Sequence, residues 1–411
     1  MNRRVRAALV GGPMYDPLYE AIPRFAREAG VAVDVVVQLP HPELNAWVKR
    51  SFESGDPDID LLSTHTKYAP SQAQWLSPLD DVIERESLAD LLPRPASLSR
   101  IDGRLLQVPR NVDVRLLHYR TDLIADAGKP SATGAVAVPG TWHELAEAAS
   151  ATTTESVYGF LFPGRESGLF GTFYELLVGA GGRLFDDELR PAFESPAGVW
   201  AARFIADLHH ARRVTPRALP EWHYDEISAA FRAGRGAMVC DWPGSYHLYR
   251  EAETSRVSDR FGLALLPAGP AGVRAAYSGC HSFAVPSTAR NPEGGAALLR
   301  YLTSFESQLA EARCGAIPCR ASAFSRIREE AAGNPAEASR WQLLAETEEM
   351  MIIPPRFAEY PRCEDAIWRA VQQAMLGNWT PEQAVGRAAA DVRTITGELR
   401  GTAVVDVADR S

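Results

Sequence analysis

The chain is predicted to be α/β, organised as two lobes with a sheet in each. Three observations predict this. Its 411 residues exceed what one hydrophobic core ordinarily organises. The first third alternates short β-branched runs with segments of helical length and period, and a second α/β pattern begins beyond Val114.

In order, Val5 to Val10 reads as a strand, Leu18 to Ala29 as a helix, Val31 to Val37 as a strand, Pro42 to Glu53 as a helix and Ile59 to Leu62 as a strand. Gly30 is placed to end the first helix, and Pro42 sits where proline is favoured at a first helical position. A β-α-β-α-β order with helices of about a dozen residues implies right-handed crossovers and a parallel sheet covered on both faces. Ligands bind such sheets at the carboxyl ends of the strands. Those ends are Gly11 to Tyr15, Gln38 to Pro40 and Ser63 to Tyr68, so Tyr15, Gln38, Thr64, His65 and Lys67 become candidate contacts. Hydroxyls, an amide, an imidazole and phenol rings suit hydrogen bonding to a polar molecule against an aromatic wall.

Further along, Arg115 to Tyr119 is predicted as a strand. Trp142 to Ala151 is predicted as a helix begun by Thr141, with Glu144 at the capping-box spacing. Gly128 to Gly140 reads as a loop, Gly164 to Gly171 as a turn, and Phe173 to Gly179 and Tyr224 to Ala233 as helices. Ala237 to Asp241 and Ser282 to Val285 read as strands. From Pro292 the pattern is helical almost to the end, with Leu399 to Ser411 as a tail.

Composition excludes several classes. Hydrophobic residues make up 46% and charged ones 23%, which suggests neither disorder nor a fibrous protein. The net charge of -9 comes from 52 acids against 43 bases, and the bases form no stripe, so no nucleic-acid partner is expected. No apolar run is long enough to span a membrane. The basic start, Arg3-Arg4, leads into a short apolar run that meets Gly11-Gly12-Pro13 without a cleavage-type site. It is read as a strand, and any secretion signal is expected to lie outside this sequence. Five cysteines cannot all pair, and Cys314 with Cys319 is the nearest pair in sequence.

Catalytic and cofactor motifs are missing. The glycines after the first strand read Gly-Gly-Pro, with no dinucleotide fingerprint or P-loop anywhere. Gly164-Arg165-Glu166-Ser167-Gly168 lacks the spacing of a nucleophile elbow, and no His-Glu-x-x-His occurs. Acid pairs such as Asp58/Asp60, Asp80/Asp81 and Asp186/Asp187 arise readily among 52 acids and read as turns and caps. No cofactor and no metal are therefore expected.

Five phrases in order resemble the family 1 extracellular solute-binding proteins, the maltose-binding-protein-like group that serves ABC sugar importers. They are Leu106 to Leu123, Phe231 to Met238, Leu265 to Pro270 followed by Tyr277 to Pro286, Gly315 to Arg320, and Leu376 to Ala384. The resemblance covers nearly the whole chain. It implies a two-lobed periplasmic-binding-protein fold (type II) with a ligand cleft between lobes joined by hinge crossings. It implies lobes of residues 1–111 plus 280–318 and of residues 112–279 plus 319–411. It implies no enzyme but a monomeric binding component outside the cytoplasmic membrane, which closes on a sugar, polyol or acidic sugar and hands it to the transmembrane subunits of an ABC permease.

By the same resemblance, Arg165, Ser167, Asp241 and Trp242 line the cleft on the second lobe. Trp242 is the strongest candidate, because it follows a strand and precedes Pro-Gly and an indole face stacks on a sugar ring. Asn111 and Asp113 stand at the first crossing, and Ser278, Gly279 and His281 at the second, where a glycine lets backbone approach the ligand. Arg356, after Pro354-Pro355 and near Phe357 and Tyr360, is expected on a loop closing over the cleft, which would admit an anionic sugar derivative. The alternatives are a sugar-active enzyme on a two-lobed α/β frame, and a receptor-linked sensor of the same fold.

Overall fold

A computed structural model describes residues 4–12, 15–55, 57–125 and 136–397. Most of the loop expected at Gly128 to Gly140, and the whole tail Leu399 to Ser411, lie outside the described residues. In chain order the elements that position the sites begin with β1 (Arg4–Val10), α1 (Asp16–Ala29), β2 (Ala32–Leu39), α2 (His41–Ser54) and β3 (Leu61–His65). Then come β4 (Val108–Val114), β5 (Leu116–Arg120), α3 (Trp142–Thr152), β6 (Tyr158–Leu161), α4 (Glu166–Gly179), α5 (Tyr224–Arg232), β7 (Gly236–Asp241) and β8 (Phe261–Ala264). The last are β9 (Ala276–Ala284), α6 (Pro292–Leu302), α7 (Phe305–Arg313), β10 (Ile317–Pro318) and α8 (Ala321–Ala331).

The chain divides into two compact units, one of Met1–Asp113, Gly279–Ala338 and Arg356–Tyr360, the other of Val114–Ser278, Ser339–Pro355 and Pro361–Ser411. The limit anticipated after residue 318 moves. Helix α8 packs on α7, and the Arg320 guanidinium donates to the carbonyl of Thr303 and to Asp90, so this stretch stays with the first unit.

In the first unit the sheet order is β10-β4-β9-β3-β1-β2. Strand β1 pairs in parallel with both β2 and β3, as the β-α-β-α-β pattern requires. Its period of two sends Val5, Ala7 and Leu9 into one core with Leu18, Phe25 and Leu298, and Ala8 and Val10 into another with Leu44 and Val48, so helices cover both faces. The sheet is mixed beyond that, because β9 runs antiparallel to β3 and β10 antiparallel to β4. Strand β3 also extends to His65, where a loop was expected: pairing with β9 sets Thr64 opposite Ser282 and His65 opposite His281.

In the second unit the sheet order is β6-β7-β5-β8, with β6 and β7 parallel and β5 antiparallel to both β7 and β8. The Thr141 hydroxyl accepts the Glu144 N–H, and the Glu144 carboxylate accepts the Thr141 N–H, which completes the capping box of α3. Helix α4 starts at Glu166, seven residues earlier than its apolar run predicts, so Ser167 is helical and lies in no turn. Two glycines on that early stretch, Gly168 against Pro163 and Gly171 against Tyr277, stand where a Cβ would come within 2.2 Å and 2.6 Å of those rings. Periodicity cannot register such contacts. All five cysteines are free, Cys314 and Cys319 included, and no helix among the described residues is long and apolar enough to cross a membrane.

Candidate functional site

In the first unit the carboxyl ends of the parallel strands meet the crossing strands β4 and β9. The register of β3 and β9 puts the His65 and His281 rings 5.1 Å apart. His41, the first residue of α2, lies 4.9 Å from the His281 ring and 5.1 Å from that of His65, so three imidazoles touch one another. Strand β4 brings Asp113 against them. Its Oδ2 lies 3.3 Å from His281 Nε2 and 3.6 Å from His65 Nε2, and its Oδ1 accepts from Asn111 Nδ2 at 2.8 Å. His65 Nδ1 accepts the Lys67 N–H at 3.3 Å, which leaves the proton of the neutral ring on the Nε2 that faces Asp113. Tyr15 completes the group, its hydroxyl 3.0 Å from His281 Nε2.

The electrostatics follow from burial. Desolvation lowers His65 and His281 to about 3, with Lys67 adding to the effect on His65, so both rings are neutral at neutral pH. Burial raises Asp113, against the pull of His281 and Arg110. The Arg110 guanidinium lies over the Tyr15 ring and is paired with Glu311 on α7, Nε donating to Oε1 at 2.8 Å and Nη2 lying 2.6 Å from Oε2. Arg110 Nη1, Asn111 Oδ1 and His281 Nδ1 are buried polar atoms with no hydrogen-bonding partner among the described residues. Unmatched donors and acceptors of this kind suit hydrogen bonding to hydroxyl groups. Among the described residues no group of His, Cys, Asp or Glu side chains is arranged to hold a metal ion.

The other first-unit candidates fare differently. Thr64 is fully buried and donates to Gln72, which in turn donates to Asn45, so its hydroxyl serves the packing. Lys67 is buried with its ammonium 4.8 Å from the Tyr68 ring centre. Gln38 stands exposed on β2 beside Gly11. Gly279 lies within strand β9, and its missing side chain permits the approach of His65, whose Cε1 would lie 2.5 Å from a Cβ. Arg356, expected on a loop closing over the cleft, donates to the carbonyls of Ser97 at 3.2 Å and Arg100 at 2.5 Å, so it ties its loop to the first unit's backbone.

In the second unit Trp242 leaves the end of β7 half-buried, its ring 5.1 Å from Tyr224 and 6.1 Å from Tyr277. Asp241 beside it is fully buried and accepts from the Trp242 N–H at 2.8 Å and from the Tyr249 hydroxyl. Burial raises it to about 6. Asp241 therefore holds the turn that follows β7, at Trp242. Ser278 likewise spends its hydroxyl on the carbonyl of Ala276. Arg165 and Ser167 flank Glu166 at the start of α4. Arg165 Nη1 donates to Glu166 Oε1 at 3.1 Å while its Nε has no partner among the described residues, and His223 Nε2 lies 4.0 Å from Glu166 Oε2. Glu166 has φ +54, a left-handed conformation that costs a non-glycine residue about 1–3 kcal/mol and collects at functional sites.

Sequence reasoning missed His41, Arg110, Glu166, Tyr224 and Tyr277. His41 was within reach, since it follows directly on a strand-end loop already singled out. Glu311 stands 201 positions beyond Arg110, and no local signal joins them.

The model of the bacterial extracellular solute-binding protein family matches residues 11–309. The chain belongs to this family. Among solved structures, the solute-binding protein is similar to maltose-bound MalE3 of T. maritima, with 26% identity and a TM-score of 0.86 over 95% of this chain and 99% of that one. It is also similar to an ABC transporter solute-binding protein of Thermotoga lettingae bound with α-D-tagatose, with 25% identity and a TM-score of 0.84 over 96% of this chain and 100% of that one. A curated relative, described as a probable ABC transporter-binding protein of Deinococcus radiodurans, is 27% identical over 307 residues, 72% of this chain and 71% of its own length. The solute-binding protein thus has the two-lobed periplasmic-binding-protein fold and is the substrate-binding component of an ABC transporter.

Proposed function

We propose that the protein captures an uncharged sugar or polyol by closing its two units on it and delivers it, outside the cytoplasmic membrane, to the transmembrane subunits of an ABC permease without chemical change. It acts as a monomer and takes no nucleic acid. One observation carries the choice of an uncharged ligand: the guanidinium groups at and near both sites are already matched. Arg110 is paired with Glu311, Arg165 with Glu166, and Arg356 with two backbone carbonyls. An anionic ligand would have to break one of these pairs, whereas the hydroxyls of a neutral one can use the unpartnered atoms of Asn111, His281 and Arg110 while its apolar face stacks on Trp242. The maltose and tagatose held by the two structural relatives support this reading.

Calorimetric titration with maltose, D-tagatose, mannitol and D-glucuronate tests it, together with chromatography of each mixture after prolonged incubation. Heat of binding with one of the three neutral compounds, and unchanged solute, is expected. Binding of glucuronate alone would overturn the neutral assignment, and product formation would favour a sugar-active enzyme.

A further inference from the structure

Helix α4 carries Arg165, Glu166 and Ser167 at its start and Glu175 in its tenth position, and Glu175 faces the roots of both crossing strands. Arg115 directly follows β4, and Tyr277 is the second residue of β9. The two meet on the second unit's side of the crossings, where the Arg115 N–H donates to the Tyr277 carbonyl at 3.3 Å. Glu175 Oε1 accepts both Arg115 Nε and the Tyr277 N–H, each at 2.8 Å, while Oε2 accepts Arg115 Nη2. Every guanidinium nitrogen donates, with Nη1 donating to the Gly168 carbonyl at 3.1 Å and Nη2 also reaching Thr172 Oγ1 at 3.2 Å. Arg115 and Glu175 are both entirely buried. The Tyr277 ring continues the connection, with its hydroxyl donating to Glu364 Oε2 at 3.4 Å and its face beside Trp242 and Phe170.

Such a pair is costly to bury, and an apolar pair of similar volume would fold as well. What an apolar pair could not do is fix two strands to one helix by directed hydrogen bonds. We propose that Glu175 is a positioning residue: with Arg115 it clamps both crossing strands to α4, so that the strands bend at residues 113/114 and 278/279 and the Trp242–Tyr277 wall keeps its place through capture. This role presupposes that the two units move on capture, as proposed above. The test uses no ligand, so its outcome does not depend on which solute the protein takes.

Spin labels at Glu28→Cys and Ala390→Cys, with Cys314→Ser, in the full ligand-free chain report the distribution of distances between the units. In Arg115→Met/Glu175→Leu the distribution is expected to broaden about twofold while the melting temperature stays within a few degrees of the parent. Arg115→Gln/Glu175→Gln, which keeps an acceptor for the Tyr277 N–H, is expected to narrow it again. A width unchanged in the apolar pair, or a width that the glutamine pair fails to narrow, would overturn the role. Should the apolar pair not fold, Thr172→Val loosens Arg115 without exposing a charge and carries the same two readings.

Discussion

The proposed contact of Trp242 with ligand predicts that its removal separates binding from folding. Its ring is half-buried beside Tyr224 and Tyr277, while the turn that presents it is held by Asp241. Trp242→Ala is expected to weaken affinity for the bound sugar or polyol by roughly tenfold or more in a titration, with little change in melting temperature. His118 on β5 gives the opposite case. It is fully buried and sits edge-on to Tyr249 at 5.1 Å. Burial, with Arg340 adding, lowers it to about 3 from 6.5. Between those values the unfolded chain binds a proton that the folded chain refuses, so the stability tied to the neutral ring is complete above pH 6.5 and is lost as the pH falls toward 3. His118→Phe is expected to remove that share. Chemical denaturation at a series of pH values should show the variant gaining on the parent by about 1.4 kcal/mol per pH unit below 6.5, and a constant difference would refute the assignment.

Elements were legible where one rule governs them. Gly30, with φ +64, closes α1, and Thr141 with Glu144 caps α3, because both are local arrangements that a few adjacent residues complete. Thr141→Ala is expected to cost about 1 kcal/mol in a denaturant midpoint, with no effect on ligand affinity. The end of β3 and the start of α4 were misjudged, because each involves a partner far along the chain: β9 for His65, and Tyr277 for Gly171 of α4. Gly279 shows the same. Gly279→Ala would drive a Cβ into the His65 ring and push the imidazole off Asp113, so a several-fold loss of affinity and a lower melting temperature are expected together. Equal affinity in the variant would remove His65 from the site.

For the whole molecule, capture is a linkage between ligand and the state that holds it. A neutral solute at about 100 times its dissociation constant adds about 2.7 kcal/mol to that state, which a melting curve reads as a rise of a few degrees. The sequence by itself determined the α/β class, the parallel start of the first sheet, the presence of a second α/β unit and the family phrases, since these rest on local period, capping and short motifs. It also singled out Tyr15, His65, Asn111, Asp113, Trp242 and His281, which stand at strand ends or crossings that the order of elements locates. Only the tertiary structure decided what each group does there. It spent Thr64, Ser278, Asp241 and Arg356 on the protein's own hydrogen bonds, brought His41 to two other imidazoles, and matched Arg110 with Glu311 and Arg115 with Glu175. The physical reason is that a buried polar group takes its role from whichever partner satisfies it, and that partner is chosen by packing between segments remote in sequence.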